Sequence, residues 1–253
     1  MTDHITVERT DRVATIWIDR PEKRNAMTLE MWEAMTEAAT TLAEDRSVRV
    51  VVLRGRGGHF CAGADVNSLG AGDDYHATNR RAEDAIAAIP KPTIAFLTGS
   101  CVGGGAQMAF ACDLRIADDT LIGGITPARL GIVYPAHSVE RATKAMGASA
   151  TKHLLFSAEL IDAERALRTG FVDEVHTPDA AVARLDEFVA LLAAKRSALS
   201  QQASKAMVDA AATGGVGEDL IDHWGGRAAQ SADLIEGVAA FIEKRDPEFG
   251  WDG

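Results

Sequence analysis

His59-Phe60-Cys61-Ala62-Gly63-Ala64-Asp65 and Gly99-Ser100-Cys101-Val102-Gly103-Gly104-Gly105-Ala106-Gln107 decide how the rest of this chain is read. Each follows an apolar or β-branched run with strand character, Val48 to Leu53 in one case and Thr93 to Leu97 in the other. Each then leads towards a helical pattern. The first turn of a helix carries N–H groups without internal acceptors. Two such groups converging from two loops can hold a carbonyl oxygen while negative charge develops on it. The second stretch ends in Gln107, an amide where acid–base chemistry wants a carboxylate.

Working outward, residues 5–19 alternate around Thr10-Asp11-Arg12 and predict a β-hairpin, broken by Asp19-Arg20-Pro21. Thr28 is placed to cap a helix whose Leu29, Met31, Trp32, Met35, Ala38, Ala39 and Leu42 keep one apolar face. Residues 67–75 are acidic and glycine-bearing, the pattern of a mobile loop, and a short helix over 77–89 ends before Pro90-Lys91-Pro92. Residues 106–111 continue as helix and 113–117 as strand. From about residue 136 helical patterns dominate, with a capped turn over 162–168 closed by Gly170 and further runs over 178–194, 196–212 and 232–245. The expectation is an α/β core with a helical appendage.

A length of 253 residues suffices for a full-sized core, and 47% hydrophobic with 25% charged residues is the composition of a soluble globular chain. The formal charge of −11 speaks against a nucleic-acid partner, which demands a basic stripe, but leaves room for a local basic pocket binding a small anion. No run approaches the ~20 apolar residues of a membrane span, and Met-Thr-Asp-His lacks the features of a signal peptide. Three cysteines, Cys61, Cys101 and Cys112, sit in apolar or glycine-rich surroundings, which suits a reducing cytoplasm. Cys61 reads as a buried small hydrophobe, since no histidine partner for a nucleophile is legible around it.

Five segments in order give the chain a resemblance over nearly its whole length to the crotonase (enoyl-CoA hydratase/isomerase) superfamily. They are Asp19-Arg20-Pro21-Glu22-Lys23-Arg24-Asn25-Ala26-Met27; Phe60-Cys61-Ala62-Gly63-Ala64-Asp65-Val66; Lys91-Pro92-Thr93-Ile94-Ala95 running into Val102-Gly103-Gly104-Gly105; Ala163 to Val172; and Ala240 to Phe249. The resemblance implies a spiral of ββα units over 1–195 that binds an acyl-CoA thioester, and a helical trimerisation region over 196–253. It implies a homotrimer or a dimer of trimers, with no cofactor beyond the coenzyme A of the substrate itself and no metal. It places the thioester carbonyl between the N–H groups of Ala64 and Gly104. Lys23, Arg24, Ala26, Ala62, Asp65, Val66, Gly103, Pro127 and Leu130 then line the ligand, and Lys244, with Arg245, reaches a neighbouring subunit's ligand. Asp65 is also suited to bracing the first glycine-rich loop.

The chain departs from the pattern at the family's two catalytic glutamates, where it carries Gln107 and Ala128. An amide does not return a proton at neutral pH and a methyl group has none to give. Hydration by the usual route is therefore not expected; decarboxylation, C–C cleavage and thioester hydrolysis stay open, as does a non-catalytic acyl-CoA binder. Residues 126–134 resemble the methylmalonyl-CoA decarboxylase branch, which carries a tyrosine at the place of Tyr134, although that branch has a histidine where this chain has Ala64. Tyr134 is thus a candidate donor and Gln107 a candidate amide contact. His137 is a weaker candidate base, and Asp73, Asp74, Tyr75 and His76 are candidate lid groups. His223 and Trp224 read as packing or interface residues.

Overall fold

The expected hairpin forms from β1 (Ile5–Thr10) and β2 (Val13–Ile18), paired antiparallel through Asp11, whose φ of 52° turns the chain. The computed structural model describes residues 2–65, 68 and 73–252, the side chains of 73 and 74 excepted. Thr28 caps α1 (Leu29–Glu44) as its position predicts, its side chain accepting from the Met31 N–H. The chain then enters β3 (Val50–Gly55), which lies parallel to β2.

From β3 onward one pattern recurs: a strand of the main sheet, a short outward extension, then a helix. After β3 comes the bridge at Cys61 and then α2 (Asp73–Ala87). After β4 (Thr93–Leu97) come β5 (Ser100–Val102) and α3 (Gly104–Ala111). After β6 (Leu114–Asp118) come β7 (Ile122–Gly124) and α4 (Ala136–Ser157), which is interrupted at Gly147. β8 (Leu160–Asp162), α5 (Ala163–Thr169), β9 (Glu174–His176) and α6 (Pro178–Lys195) complete the spiral. The main strands stand in the order β1-β2-β3-β4-β6-β9, parallel after the hairpin, and the extensions form a second sheet, β5-β7-β8.

Both faces of the main sheet are covered, which is why residues 50–53 of β3 and 94–97 of β4 are continuous apolar runs rather than alternating. Val51, Leu53, Ala95 and Leu97 face the core built with α1, α2 and α3. Val50, Val52, Ile94 and Phe96 face Ala181, Leu185 and Val189 of α6. Among the described residues no helix is long and apolar enough to cross a membrane.

The helical last third contains α7 (Ala198–Ala211), α8 (Glu218–Gln230) and α9 (Asp233–Glu243). Lys205 ties α7 to Asp113, and Arg49 donates to the carbonyls of Phe249 and Trp251. α8 was not among the expected runs. None of its residues is buried, so it carries no core-facing stripe, and Gly225-Gly226 lowers its helical propensity. α2 likewise begins at Asp73, inside the stretch read as loop.

Lys91, the residue before Pro92, is nearly fully buried and closes the C-terminal end of α1. Its Nζ lies 2.5 Å from the Leu42 carbonyl, 2.6 Å from that of Asp45 and 3.3 Å from that of Ala43. A cation there satisfies carbonyls that have no helical donor and lies at the negative end of the helix dipole. Lys91→Met is expected to lower the free energy of unfolding by about 2–3 kcal/mol in urea titrations, with an unchanged midpoint counting against this role.

Candidate active site

The first glycine-rich stretch is tied to β5 by a parallel bridge at Cys61 and to the entrance of α1 by another at Ala64. Met27 donates to the Gly63 carbonyl and accepts from the Asp65 N–H, both at 2.8 Å. In a parallel bridge the residue between two such bonds turns its own N–H to the opposite side, so the N–H of Ala64 faces away from Met27. On that opposite side stands the start of α3. Gly103 occupies its N-cap without a side-chain hydrogen bond, leaving the first-turn donors uncapped. Neither the Ala64 nor the Gly104 N–H has a backbone acceptor among the described residues.

Close approach explains the glycines. Gly63 has φ +105°, a conformation that disfavours side chains, and a Cβ there would sit 2.9 Å from the Val102 carbonyl. A Cβ on Gly104 would meet the Trp32 ring at 3.0 Å and lie 3.6 Å from the Ala64 nitrogen, filling the space between the two donors. Trp32 is itself fixed, its indole N–H donating to the Tyr75 hydroxyl at 2.8 Å. Two uncapped donors beside the positive end of a buried helix make a site for an anionic oxygen.

These donors open onto a cavity of about 220 Å³ lined by Ala62, Ala64, Gly103, Gly104, Gln107, Pro127, Leu130 and Tyr134 of the expected residues, together with His76 and Asn79 of α2. An adjoining groove of about 740 Å³ shares Ala62, Val102 and Thr126 with it and carries the cations Arg24 and Arg129 as well as His59. Ser100 donates its N–H to His59 Nδ1 at 3.1 Å, which puts the proton of a neutral imidazole on Nε2.

Other expected residues fall elsewhere. Asp65 is buried and accepts from Arg20 at 2.7 Å, so it braces the loop. Ala26 accepts from the same guanidinium at 3.0 Å and lines neither space. Lys23 and Lys244 are exposed and also line neither; Arg245 is drawn into ion pairs with Glu236 and Glu243. Val66 and the side chains of Asp73 and Asp74 lie outside the described residues. Tyr75 is buried against Trp32, whereas His76 is exposed at the cavity. His223 and Trp224 pack edge to face on α8. Burial pushes the Cys61 thiol up to about 12, which leaves it inert as a nucleophile.

Behind Gln107 lies a polar cluster that the sequence did not disclose. Gln107 Nε2 donates to Ser138 Oγ at 3.0 Å, and Ser138 donates to the Glu83 carboxylate at 3.0–3.1 Å. Because the single hydroxyl proton goes to Glu83, Ser138 accepts from Gln107, and the amide is thereby oriented. Arg141 donates to the same carboxylate at 3.1 Å, and His137 Nε2 stands 3.2 Å from it. His137 thus serves Glu83 and does not line the cavity. Tyr134 donates to the Gly103 carbonyl at 3.2 Å, and that carbonyl also accepts from the Gln107 N–H. Burial, with Glu83's charge adding to it, pushes the Tyr134 phenol well above its ordinary value, so it remains a donor. Among the described lining residues no aspartate or glutamate is present, and no group of three His, Cys, Asp or Glu side chains is placed to hold a metal ion.

The spiral of ββα turns followed by helices places the chain in the crotonase fold class. The family model for enoyl-CoA hydratase/isomerase matches residues 8–252. The chain is 35% identical to a putative enoyl-CoA hydratase of Thermus thermophilus over 252 residues, covering 94% of this chain and 97% of that protein. It is 32% identical to the probable enoyl-CoA hydratase echA8 of Mycobacterium tuberculosis, covering 97% of each. An enoyl-CoA hydratase/carnithine racemase structure from Magnetospirillum magneticum superposes with a TM-score of 0.93 at 31% identity, covering 99% of this chain and 96% of that one. The chain belongs to the enoyl-CoA hydratase/isomerase family.

Burial pushes the Glu83 carboxyl up from 4.5, against the opposing pull of His137, Arg141 and Ser138. The folded chain therefore holds this proton more tightly than the unfolded chain, and native stability falls as pH rises from 4.5 through the raised value. Urea midpoints compared between wild type and Glu83→Gln from about pH 4 to pH 8 are expected to show this extra decline in the wild type alone; parallel profiles would contradict it.

Proposed function

We propose that this chain is an enzyme that binds an acyl-CoA thioester with its carbonyl oxygen between the N–H groups of Ala64 and Gly104, and that its reaction passes through an oxyanion held there, an enolate in decarboxylation or C–C cleavage and a tetrahedral adduct in hydrolysis. The observation that carries this reading is the convergence of those two donors above a lining that, among the described residues, has no carboxylate. Two fixed donors in a dry site contribute about 3–4 kcal/mol each to a developing oxyanion. The adjoining groove, with Arg24 and Arg129 in its lining, offers guanidinium groups for the phosphates of the coenzyme A end.

The family's relatives carry the name enoyl-CoA hydratase. Gln107 and Ala128 stand where the resemblance places the two glutamates of hydration, and the Gln107 amide is committed to Ser138. This favours reactions that need an oxyanion site but no carboxylate pair: decarboxylation, C–C cleavage or thioester hydrolysis. Tyr134, a buried donor on the cavity wall, is the candidate for orienting the departing group.

A panel of crotonyl-, methylmalonyl-, 3-hydroxyacyl- and aromatic acyl-CoA thioesters, assayed with wild type, Gly104→Val and Tyr134→Phe, tests this. On whichever thioester turns over, Gly104→Val is expected to abolish activity and Tyr134→Phe to lower kcat by ~10²-fold. Retained turnover in Gly104→Val would remove the carbonyl from this site. Binding of every thioester with turnover of none would make the chain a non-catalytic acyl-CoA binder.

The region 196–253 is assigned to assembly as a homotrimer or dimer of trimers. On α9, Leu234, Ile235, Val238, Phe241 and Ile242 are all exposed, Phe241 at 85%, an apolar face that a second copy of the chain would cover. Phe241→Glu is expected to shift the mass seen in light scattering towards the monomer, and an unchanged mass would refute the assignment.

A further inference from the structure

Asn79 is a buried polar side chain at the inner cavity with no part in holding the thioester carbonyl. It lies on α2, one helical turn before Glu83 and so on the same face. Asn79 is 2% exposed and borders the cavity beneath Ala64 and Gly104, and its Nδ2 has no hydrogen-bond partner among the described residues. Buried donors in folded proteins are nearly always satisfied, and one left unpaired beside a cavity is a candidate for completion by a ligand atom or an ordered water. The neighbouring carboxylate does not serve it: Glu83 is taken by Ser138, His137 and Arg141.

The rest of the lining defines what that ligand atom is. Pro127, Leu130, Ile132 and the rings of Tyr75 and Tyr134 make the wall largely apolar. Among the described lining residues there is no lysine or arginine to neutralise a carboxylate, and Glu83 adds negative charge behind the wall. Among the described lining residues an anionic acyl end would meet only the exposed His76 imidazole as a possible counter-charge, against the negative field of Glu83. A hydrocarbon end would leave the Asn79 donor unpaired.

Resting on the acyl-CoA reading above, we propose that Asn79 donates a hydrogen bond to a neutral oxygen on the acyl group, making the inner cavity selective for oxygenated acyl thioesters, keto or hydroxy, over hydrocarbon ones. Asn79 is then a specificity determinant of the acyl pocket, distinct from the donors that hold the thioester carbonyl.

The test is a cycle of two proteins and matched ligands, read by titration calorimetry with butyryl-CoA, acetoacetyl-CoA and succinyl-CoA. The first two differ by one carbonyl oxygen. Wild type is expected to prefer acetoacetyl-CoA over butyryl-CoA, and Asn79→Leu to reduce that preference by about 10- to 100-fold. The ease with which the keto ester enolises favours it equally in both proteins, so the change in preference isolates Asn79. Asn79→Ala, smaller and equally without a donor, serves as a second variant, and circular dichroism checks the fold of each. An acetoacetyl preference that is absent in wild type, or the same in wild type and a folded variant, overturns the proposal. Tighter binding of succinyl-CoA than of acetoacetyl-CoA overturns the neutral class. If no thioester binds either protein, the acyl-CoA reading falls and takes this inference with it; if all bind without preference, only this inference falls.

Discussion

Two backbone hydrogen bonds, Met27 N–H to Gly63 and Asp65 N–H to Met27, set the direction of the Ala64 donor, and much of the site follows from them. Cys61 pairs with Cys101 further back and Ala62 donates to the Arg24 carbonyl, so the stretch is tied at several points, while the loop that precedes it is held by a side chain. Asn25, fully buried, does this: its amide donates to the carbonyls of Arg56 and His59 and accepts from the Arg20 N–H. Arg20 in turn reaches Asp65. The segment between hairpin and first helix is thus a clamp that orients an N–H group without lending a side chain to the cavity.

The second donor is oriented differently, by the start of a helix. α3 is buried at every residue, so its axis is fixed by packing on all sides. Its N-cap is glycine, which adds no side chain to compete for the first-turn donors. Trp32 then sets how near the two donors the core can come, since its ring lies where a side chain on residue 104 would project. One donor is set by a bridge and the other by a packed helix, and neither needs a ligand to form. Such pre-organisation is what makes donors effective towards a developing charge.

Much of this was legible in the sequence because it rests on local rules. Thr28 before an amphipathic run gave the α1 start, and the apolar runs before both glycine stretches gave β3 and β4. The lining residues on the two glycine loops and at Pro127, Leu130 and Tyr134 came from motif register, and the structure brings them to one cavity. What stayed hidden depends on residues far apart in the chain. Asn79, Glu83, Ser138 and Arg141 are ordinary polar residues on helices, and spacing alone does not say that α2 and the start of α4 turn them towards each other. The i, i+4 spacing of Asn79 and Glu83 on a face shared with Tyr75, Ala82 and Ile86 was the available signal: polar residues among core positions. Lys23 and Lys244 show the opposite case, recognisable by motif yet placed on the surface of this single chain.

The cluster at Glu83 also bears on why an amide stands at position 107. A carboxylate there would face Ser138, whose one proton already goes to Glu83, so two acids would share a nearly dry space. Like charges at that range raise each other's proton affinity. With glutamine, the acid is moved one step back, where Arg141 and His137 meet it, and a neutral amide is presented to the ligand. The site thereby keeps a charged anchor for orientation while the lining itself stays uncharged among the described residues. In the proposed reaction, an uncharged lining beneath two oriented N–H groups would leave the substrate's oxyanion as the principal charge in the cavity, a charge that backbone donors so arranged are suited to hold.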